Sequence, residues 1–89
     1  MKAVHLKIYG LVQGVFFRQS TQEKAIELGL KGWVCNCEDG TVEAEAEGTE
    51  ESLKRFIEWC HDGPQKASVD KVDVMPATLK NFSSFQIKR

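Results

Sequence analysis

With 89 residues, 42% of them hydrophobic and 28% charged, the chain is sized for one domain that buries roughly 60 to 65% of its unfolded surface without disulfide staples. A net charge of −1 supplies no long-range attraction for nucleic acid or an anionic membrane. No apolar run approaches membrane-spanning length, and His5 and Lys7 interrupt the apolar residues where a signal peptide would need them continuous; three cysteines without an export signal then point to reduced thiols in the cytoplasm.

The first element reads as a strand, with Val4, Leu6 and Ile8 alternating against His5, Lys7 and Tyr9. It runs into Gly10 and Gly14, which allow backbone angles that other residues resist. A loop bent in this way between a strand and a helix can aim several successive N–H groups at one point, where an anion fits. A helix beginning near Phe17 adds its own unsatisfied N–H groups and the positive end of its dipole. Arg18 then sits in the first helical turn, where a cation gains nothing from that dipole. A planar guanidinium gripping two phosphate oxygens would account for it. Neither of the common glycine-rich phosphate motifs is present, so a plain loop with a solvated arginine competes with the anion site.

Phe17 to Leu28 reads as that helix, with Phe17, Thr21, Ala25 and Leu28 on one stripe and Gly29 just past its end. Ser20 or Thr21 as cap offers a later start, which would leave Arg18 in the loop. Leu30 to Cys37 forms a second strand and Glu38-Asp39-Gly40-Thr41 a hairpin turn. The third strand, Thr41 to Glu47, turns Val42, Ala44 and Ala46 inward and Glu43, Glu45 and Glu47 outward, so one sheet face is expected to be wet. Thr49 caps a second helix, with Glu50 and Glu51 in its first turn and Leu53, Phe56, Ile57 and Cys60 on its core stripe; Gly63-Pro64 ends it. Val69 to Met75 is a fourth strand, Pro76 to Lys80 a loop, and Phe82 to Ile87 a short last strand. The order predicts an α+β, ferredoxin-like βαββαβ sandwich: an antiparallel sheet with two helices on one face and an extra carboxy-terminal strand, residues 1–89 forming a single domain.

Asn36 stands at a strand end, where its amide either satisfies a neighbouring turn or orients a water molecule. Cys35 and Cys37 share the opposite strand face, and neither suits a nucleophile for the same site. Cys35, Cys37, Cys60 and His61 lack the spacing of zinc ligands, so no metal is expected. His5, on a polar strand face, and His61, near a helix end, need no catalytic role. Glu43, Glu45 and Glu47 lie where an RNA-recognition sheet would carry stacking aromatics, and they would repel a phosphate backbone, so no nucleic-acid partner is expected.

Ile8-Tyr9-Gly10-Leu11-Val12-Gln13-Gly14-Val15-Phe16-Phe17-Arg18 resembles the first signature of the acylphosphatase family. Gly32-Trp33-Val34-Cys35-Asn36, followed by Gly40, Val42 and Gly48, resembles its second. The resemblance spans almost the whole chain. It implies a hydrolase that cleaves the carboxyl–phosphate anhydride of small acyl phosphates by in-line attack of water, with no metal or cofactor and no membrane partner. By position, Arg18 would bind the phosphoryl oxygens together with the backbone amides of Gln13, Gly14, Val15, Phe16 and Phe17, and Asn36 would position the water. A protein of this kind is expected to act as a monomer. Cys35 departs from the family pattern, which typically has a longer, often basic residue there; it points away from Asn36. The alternative on the same fold is a non-catalytic module that keeps the anion pocket for interaction.

Overall fold

A computed structural model describes residues 1–88. The chain runs as β1 (Lys2–Leu11), α1 (Phe17–Glu27), β2 (Lys31–Asn36), β3 (Val42–Gly48), α2 (Glu50–Asp62), β4 (Ser68–Ala77) and β5 (Phe85–Lys88). The strands form one sheet in the order β4-β1-β3-β2-β5. β1 pairs antiparallel with β3 and β4, and β2 antiparallel with β3, as the ferredoxin-like reading expects. The extra strand β5 is parallel to β2, so the sheet is mixed at this edge rather than wholly antiparallel. Residues 78–84 cause this by crossing from β4 to the far edge of the sheet. They deliver β5 beside Gly32, whose N–H donates to the Ser84 carbonyl at 2.9 Å, and β5 then runs with β2.

Sequence period explains the packing. Leu6 and Ile8 of β1, Val34 of β2, and Val42, Ala44 and Ala46 of β3 bury on the face that the helices cover. α1 contributes Phe17 and Ala25 to this core, and α2 contributes Leu53, Phe56 and Cys60 at helical spacing. Each fully buried aliphatic or aromatic side chain is worth roughly 1.5 to 3 kcal/mol relative to exposure. Phe17 meets Trp59 of α2 with ring centroids 5.8 Å apart, and Phe56 meets Phe85 edge-on at 6.0 Å. The Ser52 N–H donates to Thr49 Oγ1 at 3.2 Å, the expected cap of α2, and Gly63 closes that helix. No helix among the described residues is long and apolar enough to cross a membrane.

β4 pairs with β1 alone and forms one edge of the sheet. It extends through Pro76, where a loop was expected, because an edge strand tolerates a residue with no N–H to donate. At its other end Gly10, with φ of 127°, sits at a register shift between β1 and β4. A Cβ there would overlap the Ser68 carbonyl, so glycine is required for the two strands to stay paired as β1 turns towards the loop.

The face expected to be wet is not. Glu45 and Glu47 are only 6% and 3% exposed, because residues 78–84 cross over them. The Glu47 carboxylate accepts the backbone N–H groups of Lys80, of Asn81 at 3.2 Å and of Phe82 at 3.0 Å. Asn81 adopts a positive φ of 58° as the segment wraps this carboxylate. The Lys80 ammonium pairs with Glu45, and His5 lies between Glu45 (3.3 Å) and Glu43 (2.9 Å). Strand alternation places these acids correctly on the outer face, but a connection that leaves no periodic signal covers them.

Replacing Glu47 by alanine leaves three N–H groups of the crossing segment without their acceptor, a loss of about 2 to 4 kcal/mol. Tm is expected to drop by roughly 10 °C or more, and a change within experimental error would remove the clamp. Acid acts on the same face. The Cys37 thiol and His5 hold Glu43 below the ordinary carboxylate range. Burial opposes the shift at Glu45, but Lys80 and His5 outweigh it and lower that group too. In the β2–β3 turn the Thr41 hydroxyl and N–H, with Lys7, hold Asp39 down at about 2. Because the folded values are depressed, this stabilisation is complete above the unfolded values near pH 4 and is lost as pH falls through the folded ones. The urea midpoint should therefore decline from about pH 5 to about pH 2, and less steeply in Asp39→Asn.

Candidate active site

The site lies at the end of the sheet where β1 stops, β2 ends and α1 begins. Phe17 is buried in the core as the first residue of α1, which fixes the start of that helix and resolves where Arg18 belongs. Arg18 is in the first helical turn, half-buried, with no carboxylate in ion-pair range among the described residues. The helix cap, Phe16, makes no side-chain hydrogen bond to the first turn, and that turn carries no acidic residue. The first N–H groups of α1 are therefore open to a ligand, and their partial positive charge adds to that of Arg18. Gly14 and Phe16 both have positive φ, 75° and 62°, the alternation of backbone hand that turns successive N–H groups inwards.

Whether this loop and Asn36 meet could not be read from strand order, since β3 lies between β1 and β2. Gln13 makes the connection. Its side-chain amide donates to the Cys37 carbonyl at 2.8 Å and to the Thr41 carbonyl at 2.9 Å, tying the loop across the β2–β3 turn. Sequence reasoning placed Gln13 in the loop for its backbone N–H and missed this use of its side chain; two carbonyls brought together by a distant turn leave no trace in local pattern.

The result is a cavity of about 310 Å³ lined by Val12, Gly14, Arg18, Gln19, Asn36 and Ile87, with Phe16 and Phe17 completing the wall. Val15 and Gln13 belong to the loop, though only Gly14, Phe16 and Phe17 of its five residues line the cavity itself. Asn36 is opposite Val42 on the helix-facing side of β2, and its Oδ1 is enclosed with no hydrogen-bond partner among the described residues. Leaving a buried acceptor unpaired costs roughly 1 to 3 kcal/mol. That is no turn-satisfying asparagine. Ile87 reaches the cavity through β5, which the Gln22 side chain fastens to α1 by donating to the Phe85 carbonyl at 2.9 Å. The signal for Ile87 was absent from the sequence, because it depends on the parallel pairing of β5.

The remaining candidates fall outside. Cys37 faces Glu43, its Sγ 3.2 Å from Oε1, and burial pushes its thiol up to about 11, so it stays protonated and weakly nucleophilic at neutral pH. Cys60 is sealed in the core, and His61 caps a carbonyl of its own helix, that of Ile57, at 2.9 Å. No group of three His, Cys, Asp or Glu side chains among the described residues is placed to hold a metal ion.

The family model for acylphosphatase matches residues 4–87. The chain belongs to the acylphosphatase family. An acylphosphatase of Marinobacter nauticus is 52% identical over 84 residues, covering 92% of this chain and 90% of its own. The crystal structure of acylphosphatase from Bacillus subtilis superposes with a TM-score of 0.97 at 36% identity, covering both chains completely. Full-length HypF, in a phosphate- and nucleotide-bound form, contains a region with a TM-score of 0.89 at 28% identity; it covers 99% of this chain but 12% of that one. The fold of the Bacillus subtilis acylphosphatase is thus that of the whole described chain, loop and β5 included.

Removal of the Gln13 amide in Gln13→Ala should release the loop from the β2–β3 turn. Inorganic phosphate is expected to bind about tenfold more weakly, the scale of one or two lost hydrogen bonds, as followed by calorimetric titration. Unchanged affinity would show that the loop holds its shape without the bridge.

Proposed function

We propose that this chain, acting as a single-domain monomer over residues 1–89, hydrolyses small acyl phosphates to a carboxylate and inorganic phosphate. The observation that carries the reading is the convergence in one cavity of Arg18, a helix start with open N–H groups, and the Asn36 acceptor, the two side chains having no partner among the described residues. Its membership of the acylphosphatase family supports the same reaction.

In this reading Arg18 and the N–H groups of Gln13, Gly14, Val15, Phe16 and Phe17 hold the phosphoryl oxygens, whose charge is redistributed as the bond breaks. The Asn36 amide takes a hydrogen bond from a water molecule and sets it in line with the acyl oxygen; a half-turn about its side chain exchanges oxygen and nitrogen, so either can face the cavity. The water oxygen bonds to phosphorus as the phosphorus–acyl oxygen bond breaks, and the acyl group leaves as a carboxylate. Among the described residues the lining side chains include no histidine, carboxylate, thiol or amine, and in this reading the water's second proton passes to a phosphoryl oxygen of the substrate. A carboxylate is a good leaving group and needs no acid. Positioning is then most of the task, worth up to roughly 7 to 11 kcal/mol when reactants are held in near-attack geometry.

In this reading the reaction needs no cofactor, because the leaving group departs readily and positioning carries most of the step. Three free cysteines suit a reducing compartment, the cytoplasm, and a net charge of −1 gives nucleic acid no long-range attraction.

Hydrolysis of benzoyl phosphate in excess chelator should proceed in the native protein. Arg18→Ala and Asn36→Ala should each lower kcat by roughly a hundredfold or more, the effect of deleting one transition-state contact, with the fold retained by circular dichroism. A folded native protein that binds phosphate and turns over no acyl phosphate would instead be the non-catalytic anion-binding module.

A further inference from the structure

Among the apolar residues described in the cavity wall, Phe16 has a side chain that neither the core nor the phosphate cradle explains. Its backbone must be left-handed for the cradle to close, at φ of 62° and ψ of 24°. Glycine takes that conformation without strain, and asparagine takes it readily, whereas a bulky side chain there is an outlier. The strain is not offset by burial, since Phe16 is 71% exposed. It has no partner among the aromatic pairs of the described residues and is absent from the hydrophobic core, whereas its neighbour Phe17 has both. A residue kept strained and exposed on a functional loop is a sign of a role for its side chain.

The cavity shows what that role is. Its lining joins polar side chains, Arg18, Gln19 and Asn36, to an apolar set made by Val12, Phe16, Phe17 and Ile87. The substrate has the same two-part character, a charged phosphoryl end and an acyl end whose polarity varies. We infer that Phe16, with Ile87 behind it, forms the acyl-group wall of the site and selects acyl phosphates with aromatic or large apolar acyl groups over acetyl phosphate. This deepens the hydrolase reading and rests on it for the identity of the substrate. Ring contact with an aromatic acyl group, together with the apolar area it covers, amounts to about a tenfold preference. The loop start and β5 jointly set it, so the preference is a property of the folded pocket and not of the signature loop alone.

The test compares benzoyl and acetyl compounds in the native protein and in Phe16→Gly, Phe16→Asn and Phe16→Tyr. Glycine and asparagine keep the left-handed backbone, and tyrosine keeps the ring. Any disturbance of the phosphate cradle enters both substrates alike and cancels in the ratio of their kcat/KM values. That ratio, benzoyl over acetyl phosphate, should fall about tenfold in the glycine and asparagine variants and stay within about twofold of native in the tyrosine variant. The same pattern should appear in the dissociation constants of benzoylphosphonate and acetylphosphonate, whose carbon–phosphorus bond resists hydrolysis. A ratio unmoved in Phe16→Gly, or lowered equally in Phe16→Tyr, overturns the acyl wall. Tight, Phe16-dependent binding of benzoylphosphonate by a native protein that hydrolyses neither phosphate would overturn the hydrolase reading and leave the wall in place. Binding of neither phosphonate would overturn both.

Discussion

Everything at the active end of the molecule depends on the burial of Phe17. Its ring is held between the sheet and Trp59, and it is the first residue of α1, so the helix cannot start earlier or later without withdrawing an aromatic side chain from the core. Residues on either side are placed by default. Arg18 is turned towards the cavity, and Phe16 is left to make the abrupt left-handed step into the helix. A core contact thereby fixes the register of the candidate anion site, and Arg18 is placed there without an ion-pair partner among the described residues.

The opposite wall is held by separate means. Gln13 grips two carbonyls of the β2–β3 turn, while Asn36 is carried at the end of β2 by its pairing with β3. The Glu47 clamp lies at the far end of the sheet, yet it directs the crossing segment that brings β5 alongside β2. Pocket and clamp are thus joined through one strand. On the proposed reading, a chain with nearly balanced charge would hold its anion by local means: a guanidinium with no carboxylate in ion-pair range among the described residues and a helix start without an acidic cap.

Local period made most of this architecture legible. The alternation in β3, the stripe of α2 and the Thr49 cap each identify an element because the signal lies within a few residues. Arg18 was legible as a candidate because a cation in the first turn of a helix gains nothing from the dipole, whereas Asn36, an ordinary residue for a strand end, stood out only through the resemblance of its surroundings to the family's second signature. What escaped the sequence was contact between distant segments. The Glu45 and Glu47 side chains alternate outward as solvated acids should, and only the crossing of residues 78–84 buries them. Gln13 reads as a loop residue until a turn some 24 residues away in sequence supplies its acceptors. Ile87 becomes part of the pocket only once β5 pairs with β2 rather than with a sequence neighbour.

β4 carries a different consequence. As an edge strand of ten residues it offers an unpaired backbone flank, the usual template for unwanted strand addition between molecules. Along that strand stand Asp70, Lys71, Asp73 and Pro76. Charge discourages a second strand from docking, and proline withdraws one of the donors such a ladder needs. The residue that looked like a loop marker in the sequence therefore makes this long open edge a poorer template for strand addition between molecules.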